Sequence, residues 1–194
     1  DPEAGESLEE LEEGLRPYHG VYTAEIEVGS PGQISTVIMD TGSANLFLNG
    51  PNCPTCKTID YRPSESSTSQ PQNETLNVAY GSGALTAQTY TDTLGLPCGD
   101  TTEVTFGVTT KSANVGSILG LAYPNLATSA STPITPWFDA MVNAGILEDL
   151  FTMRLCGVDR SGSHLKLGGM DETISTDALK YTAITDESYY VIAP

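Results

Sequence analysis

The sequence alternates short apolar segments with turns rich in glycine and proline, and this pattern limits what it can fold into. Val21–Val28 is typical, because apolar residues alternate with Thr and Glu as in a strand with one buried face. The turn "GSPG" follows, and residues 33–40 run back as a second strand. A hairpin is predicted over residues 76–96, with Gly81 and Gly83 at its tip. We therefore expect an all-β fold with one or two short helices.

One later segment has the features of a helix. Apolar side chains recur at helical spacing from Phe138, and Gly145 suits the C-terminal end. Thr135 is the predicted N-cap, and Pro136 fits the first turn. We expect this helix to pack against the strands. Strands are predicted again in residues 150–158, 164–170 and 187–194.

The composition limits the classes of partner. The 194 residues carry a net charge of −17 at pH 7, with only eight Lys and Arg side chains. Nucleic acids and anionic membrane surfaces need cationic patches, so neither is an expected partner. No apolar run approaches the roughly 20 residues of a membrane-spanning helix. Two explanations of this acidity stay open. The charge keeps the protein soluble, or the protein works at low pH, where protonation of the carboxylates reduces their mutual repulsion.

The acidic side chains are concentrated at the start of the chain. The first 14 residues include seven of them and few apolar residues. We interpret residues 1–14 as a solvated tail, a linker or a short helix outside the core. Residues 15–194 are long enough to form one large domain with its own core.

The cysteines, Cys53, Cys56, Cys98 and Cys156, form an even set. A zinc site would need a second close pair, and the prolines around "CPTC" argue against the helix that a redox motif usually opens. Disulfides are therefore the preferred interpretation, and they indicate an exported compartment. The N-glycosylation sequence at Asn73 agrees with export. We expect neither a metal nor a cofactor.

Residues 37–48, "VIMDTGSANLFL", place a single carboxylate, Asp40, at the end of an apolar strand and on a Thr-Gly-Ser turn. An ionised carboxylate in that position costs several kcal/mol unless hydrogen bonds hold it. Asp40 is therefore either an ordinary turn residue, which is the commoner meaning of an isolated Asp-Thr-Gly, or a carboxylate that does chemistry.

Six segments in order resemble the pepsin-like aspartic proteases, and the resemblance extends over residues 17–194. They are "YTAEIEVGSPGQ", "VIMDTGSANLFL", "AYGSGALTAQ", "ILGLAYPNLATSASTPITPWFDAMVNAGIL", "DLFTMRL" and "LKLGGMD". The resemblance implies an all-β lobe of the double-psi β-barrel type. It also implies peptide-bond hydrolysis by two aspartates, one from each of two lobes, that share a proton. One aspartate activates a water as base, and the other donates to the carbonyl oxygen as acid.

On this resemblance Asp40 is the catalytic aspartate of the first lobe, and Thr41, Gly42 and Ser43 support its loop. Gly42 leaves space for the water and the substrate. Ser43 donates a hydrogen bond to Asp40 that favours the ionised carboxylate. Residues 118–120, "ILG", pass beneath the loop and hold it rigid.

The hairpin tip resembles the flap of this family, which closes over an extended peptide. Tyr80 covers the substrate, and the backbone at Gly81 and Ser82 bonds to its main chain, as in strand addition. Phe47 stands where the family usually has a tryptophan that hydrogen-bonds the flap tyrosine, and Phe cannot form that bond. The segment "KSANVGS" before Ile118 lacks the aromatic residues that commonly build the first specificity pocket.

The sequence contains one Asp-Thr-Gly and no Asp-Ser-Gly, so it matches one half of such an enzyme. We interpret residues 15–194 as the N-terminal lobe, whose partners are a C-terminal lobe and a peptide or protein substrate in a secreted, endolysosomal or vacuolar compartment. A fragment, the first chain of a processed protease and a lobe that pairs with itself are all consistent with this. The alternative is a non-catalytic, protease-derived binding or structural subunit.

Two disulfides are predicted. Adjacency joins Cys53 to Cys56. Cys156 ends a predicted core strand, and Cys98 lies in a loop between strands that could reach it, which gives the second pair.

Overall fold

The computed structural model describes residues 10–18, 20–81, 83–97, 99–128, 131, 133–157, 161–171 and 179–192. Its strands are β1 Leu11–Gly14, β2 Arg16–Tyr18, β3 Val21–Val28, β4 Gln33–Asp40, β5 Leu46–Asn49, β6 Gln70–Tyr80, β7 Gly83–Gly95, β8 Thr101–Ala113, β9 Ile118–Gly120, β10 Phe151–Arg154, β11 His164–Leu167, β12 Ile184–Glu187 and β13 Tyr190–Ile192. Helix α1 spans Trp137–Asn143, and short 3-10 turns span Pro63–Glu65 and Pro124–Leu126. Strands dominate the described residues, which confirms the prediction of an all-β fold with a short helix.

The main sheet has the strand order β2-β3-β4-β9-β5-β8-β7-β6. β3 also pairs with β7, where Val28 lies opposite Leu94. The strands β3, β4, β9, β5, β8 and β7 are therefore hydrogen-bonded to one another in a ring. Ala24, Ile26 and Val28 of β3 are buried, as its alternating sequence predicts.

Two clusters of buried hydrophobic side chains result. The main one includes Ile26, Val37, Leu94, Leu119, Trp137 and Met141. The second, called the hairpin cluster below, consists of Phe47, Leu76, Leu85, Ala87, Ile118 and Ile134.

Helix α1 ends as predicted but does not begin as predicted. Its N-cap is Pro136, with ψ at 151°, and no side chain caps the helix, so the prediction of Thr135 as N-cap is wrong. A residue before proline avoids the helical region, and Pro136 itself remains extended. At the other end Gly145 adopts φ +71°, and two backbone bonds close the helix in a Schellman motif.

The predicted tail contains a strand. β1 pairs with β11, which places Leu11 opposite Leu167, and Leu11 packs against the main cluster. Glu10 forms an ion pair of 2.6 Å with Lys166 beside it. Residues 11–14 are therefore an edge strand with Glu12 and Gly14 exposed, and Leu11 supplies its apolar contact. Residues 1–9 of the predicted tail lie outside the described residues, so that part stays a prediction.

Two small sheets complete the described fold. β11 lies between β1 and β10, and the antiparallel β10–β11 pair confirms the strands predicted in residues 150–158 and 164–170. β12 and β13 form the other sheet, so the last predicted strand is a hairpin that begins at Ile184. Tyr190 of β13 packs edge-on against Phe151 of β10, which attaches this hairpin to the rest of the chain.

Candidate active site

Asp40 is the last residue of β4, and the turn that follows holds its carboxylate. β4 pairs in parallel with β9, so that Asp40 lies opposite Gly120. Oδ1 accepts a hydrogen bond from the backbone N–H of Gly42 at 2.9 Å, and Oδ2 accepts one from the Ser43 hydroxyl at 2.6 Å. Each carboxylate oxygen therefore has a donor, which offsets the cost of placing the charge at the end of a buried strand.

The loop of residues 41–45 is fixed to β9 and the segment after it. Three backbone N–H groups donate to loop carbonyls: Gly120 to Asn45 at 2.9 Å, Leu121 to Asp40 at 2.8 Å and Ala122 to Ser43 at 2.9 Å. Gly120 leaves no room for a side chain, because a Cβ there would lie 2.5 Å from the Ser43 carbonyl oxygen. The loop and β9 thus approach as closely as their backbones allow.

Gly42 faces Asp40 from the turn. A Cβ at this position would lie 3.1 Å from Asp40 Oδ1, so a side chain would crowd the carboxylate itself. Gly42 and Thr41 are both exposed, which leaves the outer side of the turn open.

Tyr80, at the end of β6, reaches the same loop. It packs against the hairpin cluster, which contains Phe47, and its phenol lies near the side chain of Ser43. Burial raises the pKa of Tyr80 to about 12, and the charge of Asp40 adds to the rise. The phenol of Tyr80 therefore lies beside the hydrogen-bonded pair of Ser43 and Asp40.

Sequence reasoning missed Asn45, which closes the loop on its other side. Its amide Nδ2 donates to the Thr128 carbonyl at 3.0 Å, and its Oδ1 accepts from the Thr128 N–H at 2.7 Å. Asn45 is buried. Its position two residues after Asp-Thr-Gly-Ser is a signal for such a role, but its partner is 83 residues away.

A cavity of about 500 Å³ lies beside the turn. Its lining includes Thr41, Tyr123, Asp139, Asp149 and Tyr190. Burial raises the pKa of the Asp139 carboxyl, and the nearby charge of Asp149 raises it further. The cavity adjoins exposed apolar side chains of β13, so this face of the chain is both acidic and apolar.

Of the remaining predicted residues, Gly81 is exposed at the hairpin tip, and Ser82 lies outside the described residues.

The Cys53–Cys56 disulfide is formed, which confirms that pairing. Cys98 lies outside the described residues and Cys156 has a free thiol, so the structure does not support the second pairing, which stays a prediction. Asn73 is exposed with φ +56°, at a register break in β6, and its glycosylation also stays a prediction.

Two findings concern the described residues only. No group of three or more His, Cys, Asp or Glu side chains among them could hold a metal ion. In the same ranges, no helix has the length and apolar character needed to cross a membrane.

The sequence is similar to known proteins along most of its length. Pepsin A of Suncus murinus is 37% identical over 183 residues, which cover 88% of this chain and 46% of that protein. Pepsin-3 of Oryctolagus cuniculus is 36% identical with the same coverage, and pepsin II-1 of that species is 35% identical over 97% of this chain and 50% of its own length. The chain thus spans about half the length of these relatives.

The family model described as "Eukaryotic aspartyl protease" matches residues 21–193. This range contains the Asp40 loop, β9 and the hairpin that carries Tyr80. The chain therefore belongs to the eukaryotic aspartyl protease family.

Proposed function

We propose that this chain is the N-terminal lobe of an aspartic endopeptidase and supplies Asp40 as one of its two catalytic carboxylates. The observation that carries the proposal is the hydrogen bonding of Asp40. Its two carboxylate oxygens accept hydrogen bonds from Gly42 and Ser43, which lie in a loop that backbone hydrogen bonds fix to β9. Membership of the family and coverage of about half of its relatives support the assignment to one lobe.

The second carboxylate comes from a C-terminal lobe. Two carboxyls that face each other at short distance cannot both ionise easily, so they share one proton. The ionised member removes a proton from a bound water, which attacks the peptide carbonyl, and the other member protonates the carbonyl oxygen. Donors to both oxygens of Asp40 orient its carboxyl for this exchange. The outer side of its turn is exposed, and there the partner carboxyl and the peptide can approach.

The β6–β7 hairpin acts as the flap over an extended peptide or protein substrate. Tyr80 closes over the chain, and the backbone of Gly81 and Ser82 bonds to its main chain. The contact of Tyr80 with Ser43 supports this role, because it links the hairpin to the Asp40 loop. Phe47 gives the hairpin apolar support from below, where it is fully buried.

The enzyme works in an exported compartment, secreted or endolysosomal. The Cys53–Cys56 disulfide supports this location, because such bonds persist mainly outside the reducing cytosol. Asn73 carries the glycan, and its exposure is compatible with modification.

A non-catalytic binding subunit is the second candidate. Phe47 favours it, since this fully buried ring has no polar group for Tyr80. The intact Asp-Thr-Gly-Ser turn speaks against it, because both oxygens of Asp40 keep their hydrogen-bond donors.

The Asp40→Asn substitution in the complete enzyme decides between them. We expect the variant to retain its fold and lose peptidase activity, because Asn can neither act as base nor share the proton of the pair. Cleavage of a denatured protein is measured at about pH 3–5, the range in which carboxyl pairs titrate. The control is Asp186→Asn, which changes an exposed carboxylate of β12. Substantial cleavage by the Asp40 variant contradicts the catalytic role, and an inactive wild type favours the binding subunit.

A further inference from the structure

Asp60 bonds to two of the strands that hold the Asp40 loop and to the residue directly before the third. Its backbone carbonyl accepts a hydrogen bond from the Ser35 hydroxyl of β4 at 2.5 Å. Its backbone N–H donates to the carbonyl of Asn49 in β5 at 2.9 Å. Its Oδ2 accepts a hydrogen bond at 2.5 Å from the hydroxyl of Ser117, which is the residue directly before β9. The three partners are all buried, so one half-buried loop residue joins β4, β5 and β9 from outside the sheet.

Ser117 connects this contact to the strand of Asp40. Its Oγ accepts from the backbone N–H of Asn49 at 2.9 Å while it donates to Asp60, so both sides of the hydroxyl are used. Its backbone carbonyl accepts from the N–H of Ile38 at 2.9 Å. Ile38 precedes Asp40 by two residues, a distance of about 7 Å along a strand. Ser117 therefore fixes the spacing of the three strands one short step from the carboxylate.

The carboxylate of Asp60 is suited to this contact. A hydrogen bond to an ionised acceptor is about twice as strong as a neutral one. Thr58 donates to the same Oδ2 at 3.0 Å and in turn accepts from the Asn49 side chain at 3.1 Å. The oxygen that receives Ser117 is thereby held in place by a second donor on the loop.

We infer that Asp60 and Ser117 are positioning residues for Asp40: their bond fixes Ser117, and Ser117 fixes the register in which β9 holds the catalytic loop. The inference rests on the proposed function, because Asp40 is the group that is positioned. Neither residue touches the substrate, and neither contacts Asp40 directly.

The test compares variants of the complete enzyme. Asp60→Ala and Ser117→Ala should each lower kcat by about 10-fold with KM changed by less than about 2-fold, since the loss is one of orientation and not of binding. Asp60→Asn keeps an oxygen that can accept from Ser117, so its kcat should stay within about 2-fold of wild type. Asp60 and Ser117 act through one bond, so their double variant should be no worse than the single ones.

Tyr61→Phe is the matched control. Tyr61 is adjacent in sequence and buried, and its hydroxyl bonds to Asp92 at 2.5 Å in a separate network. Its removal should lower Tm without lowering kcat. If Ser117→Ala does not fold, the comparison of Asp60→Ala with Asp60→Asn still tests the inference. Both variants should fold, because Asp60 is only half-buried and its backbone hydrogen bonds remain in both.

Amide hydrogen exchange gives a readout that does not need activity. The N–H groups of Gly120 and Leu121, which bond to the Asp40 loop, should exchange faster in Asp60→Ala and Ser117→Ala but not in Tyr61→Phe. If the wild type cleaves no peptide, the proposed function fails while this exchange still tests the contact. An Asp60→Ala variant with lower Tm but unchanged kcat and unchanged exchange overturns the inference, as does an Asp60→Asn variant as impaired as Asp60→Ala.

Discussion

Gly120 shows how a single residue decides the geometry beside Asp40. A Cβ at this position would lie 2.5 Å from the Ser43 carbonyl and 2.6 Å from the backbone of Ala44. These are backbone atoms of the loop, so they cannot turn aside as a flexible side chain would. Any side chain at position 120 must therefore displace the Asp40 loop.

We predict that Gly120→Ala lowers the free energy of unfolding by about 1–3 kcal/mol, as overpacking does, and removes most peptidase activity of the complete enzyme. Gly157→Ala is the control, because a Cβ there meets no atom within 4 Å and the glycine has no positive φ. Chemical denaturation and a peptide assay measure the two effects. Equal stability and equal activity in both variants would show that the loop tolerates displacement.

At the scale of elements, Asp92 joins strand β7 to the segment of residues 61–68. Its carboxylate is buried and accepts hydrogen bonds from Tyr61 at 2.5 Å, from Thr68 at 2.5 Å and from the N–H of Thr93 at 2.8 Å. Burial by itself raises the pKa of Asp92, but the hydrogen bonds, including one from Ser66, outweigh burial and lower it. The ionised form is therefore the one that the fold prefers.

This direction predicts how stability depends on pH. A lowered pKa contributes stability above the unfolded value of about 3.9, and that stability is lost as the pH falls through the folded value. Asp92→Asn should cost about 1–3 kcal/mol at pH 6, because a buried hydrogen-bonded charge is removed. The cost should shrink as the pH falls from the unfolded value toward the folded one, because the unfolded chain then binds a proton that the native carboxyl resists.

Denaturation of both proteins between pH 2 and pH 6 measures this effect. Asp186→Asn, at an exposed position, should show no such pH-dependent difference. A cost for Asp92→Asn that is the same at every pH would mean that folding does not lower the pKa of this carboxyl.

At the scale of the whole molecule, several large apolar side chains of the described residues are exposed, and they include Leu150, Leu155, Met170, Tyr189, Val191 and Ile192. Leu150 lines the cavity beside Thr41, and β13 reaches the same cavity through Tyr190. Contiguous exposed apolar surface marks an interaction site or an aggregation risk. The cavity beside Thr41 opens in the same region, which fits a second lobe packed against this side.

We predict that the 194-residue chain expressed alone has no peptidase activity, because one carboxylate cannot be base and acid in the same step. An extended peptide is assayed at about pH 3–7, with the molecular size measured in parallel. Added C-terminal lobe should restore cleavage. Activity from a strict monomer contradicts the two-lobe mechanism, and activity that rises with the square of concentration indicates a lobe that pairs with itself.

The sequence by itself determined the strand pattern, the position of Asp40 and the turn that follows it. These features are local: an alternating segment specifies a half-buried strand, and Asp-Thr-Gly-Ser carries both donors to its own carboxylate. Gly145 was predictable for the same reason, because a positive φ at a helix end favours glycine wherever the helix packs.

Only the tertiary structure decided the contacts between distant segments. Asn45 bonds to Thr128, Asp60 to Ser117 and Tyr61 to Asp92, and no local pattern pairs residues so far apart in the chain. The same holds for Leu11, whose place in a sheet depends on Leu167. A buried polar group needs a hydrogen-bond partner. The sequence shows which residues have this requirement, but the packing of the strands decides which group becomes the partner.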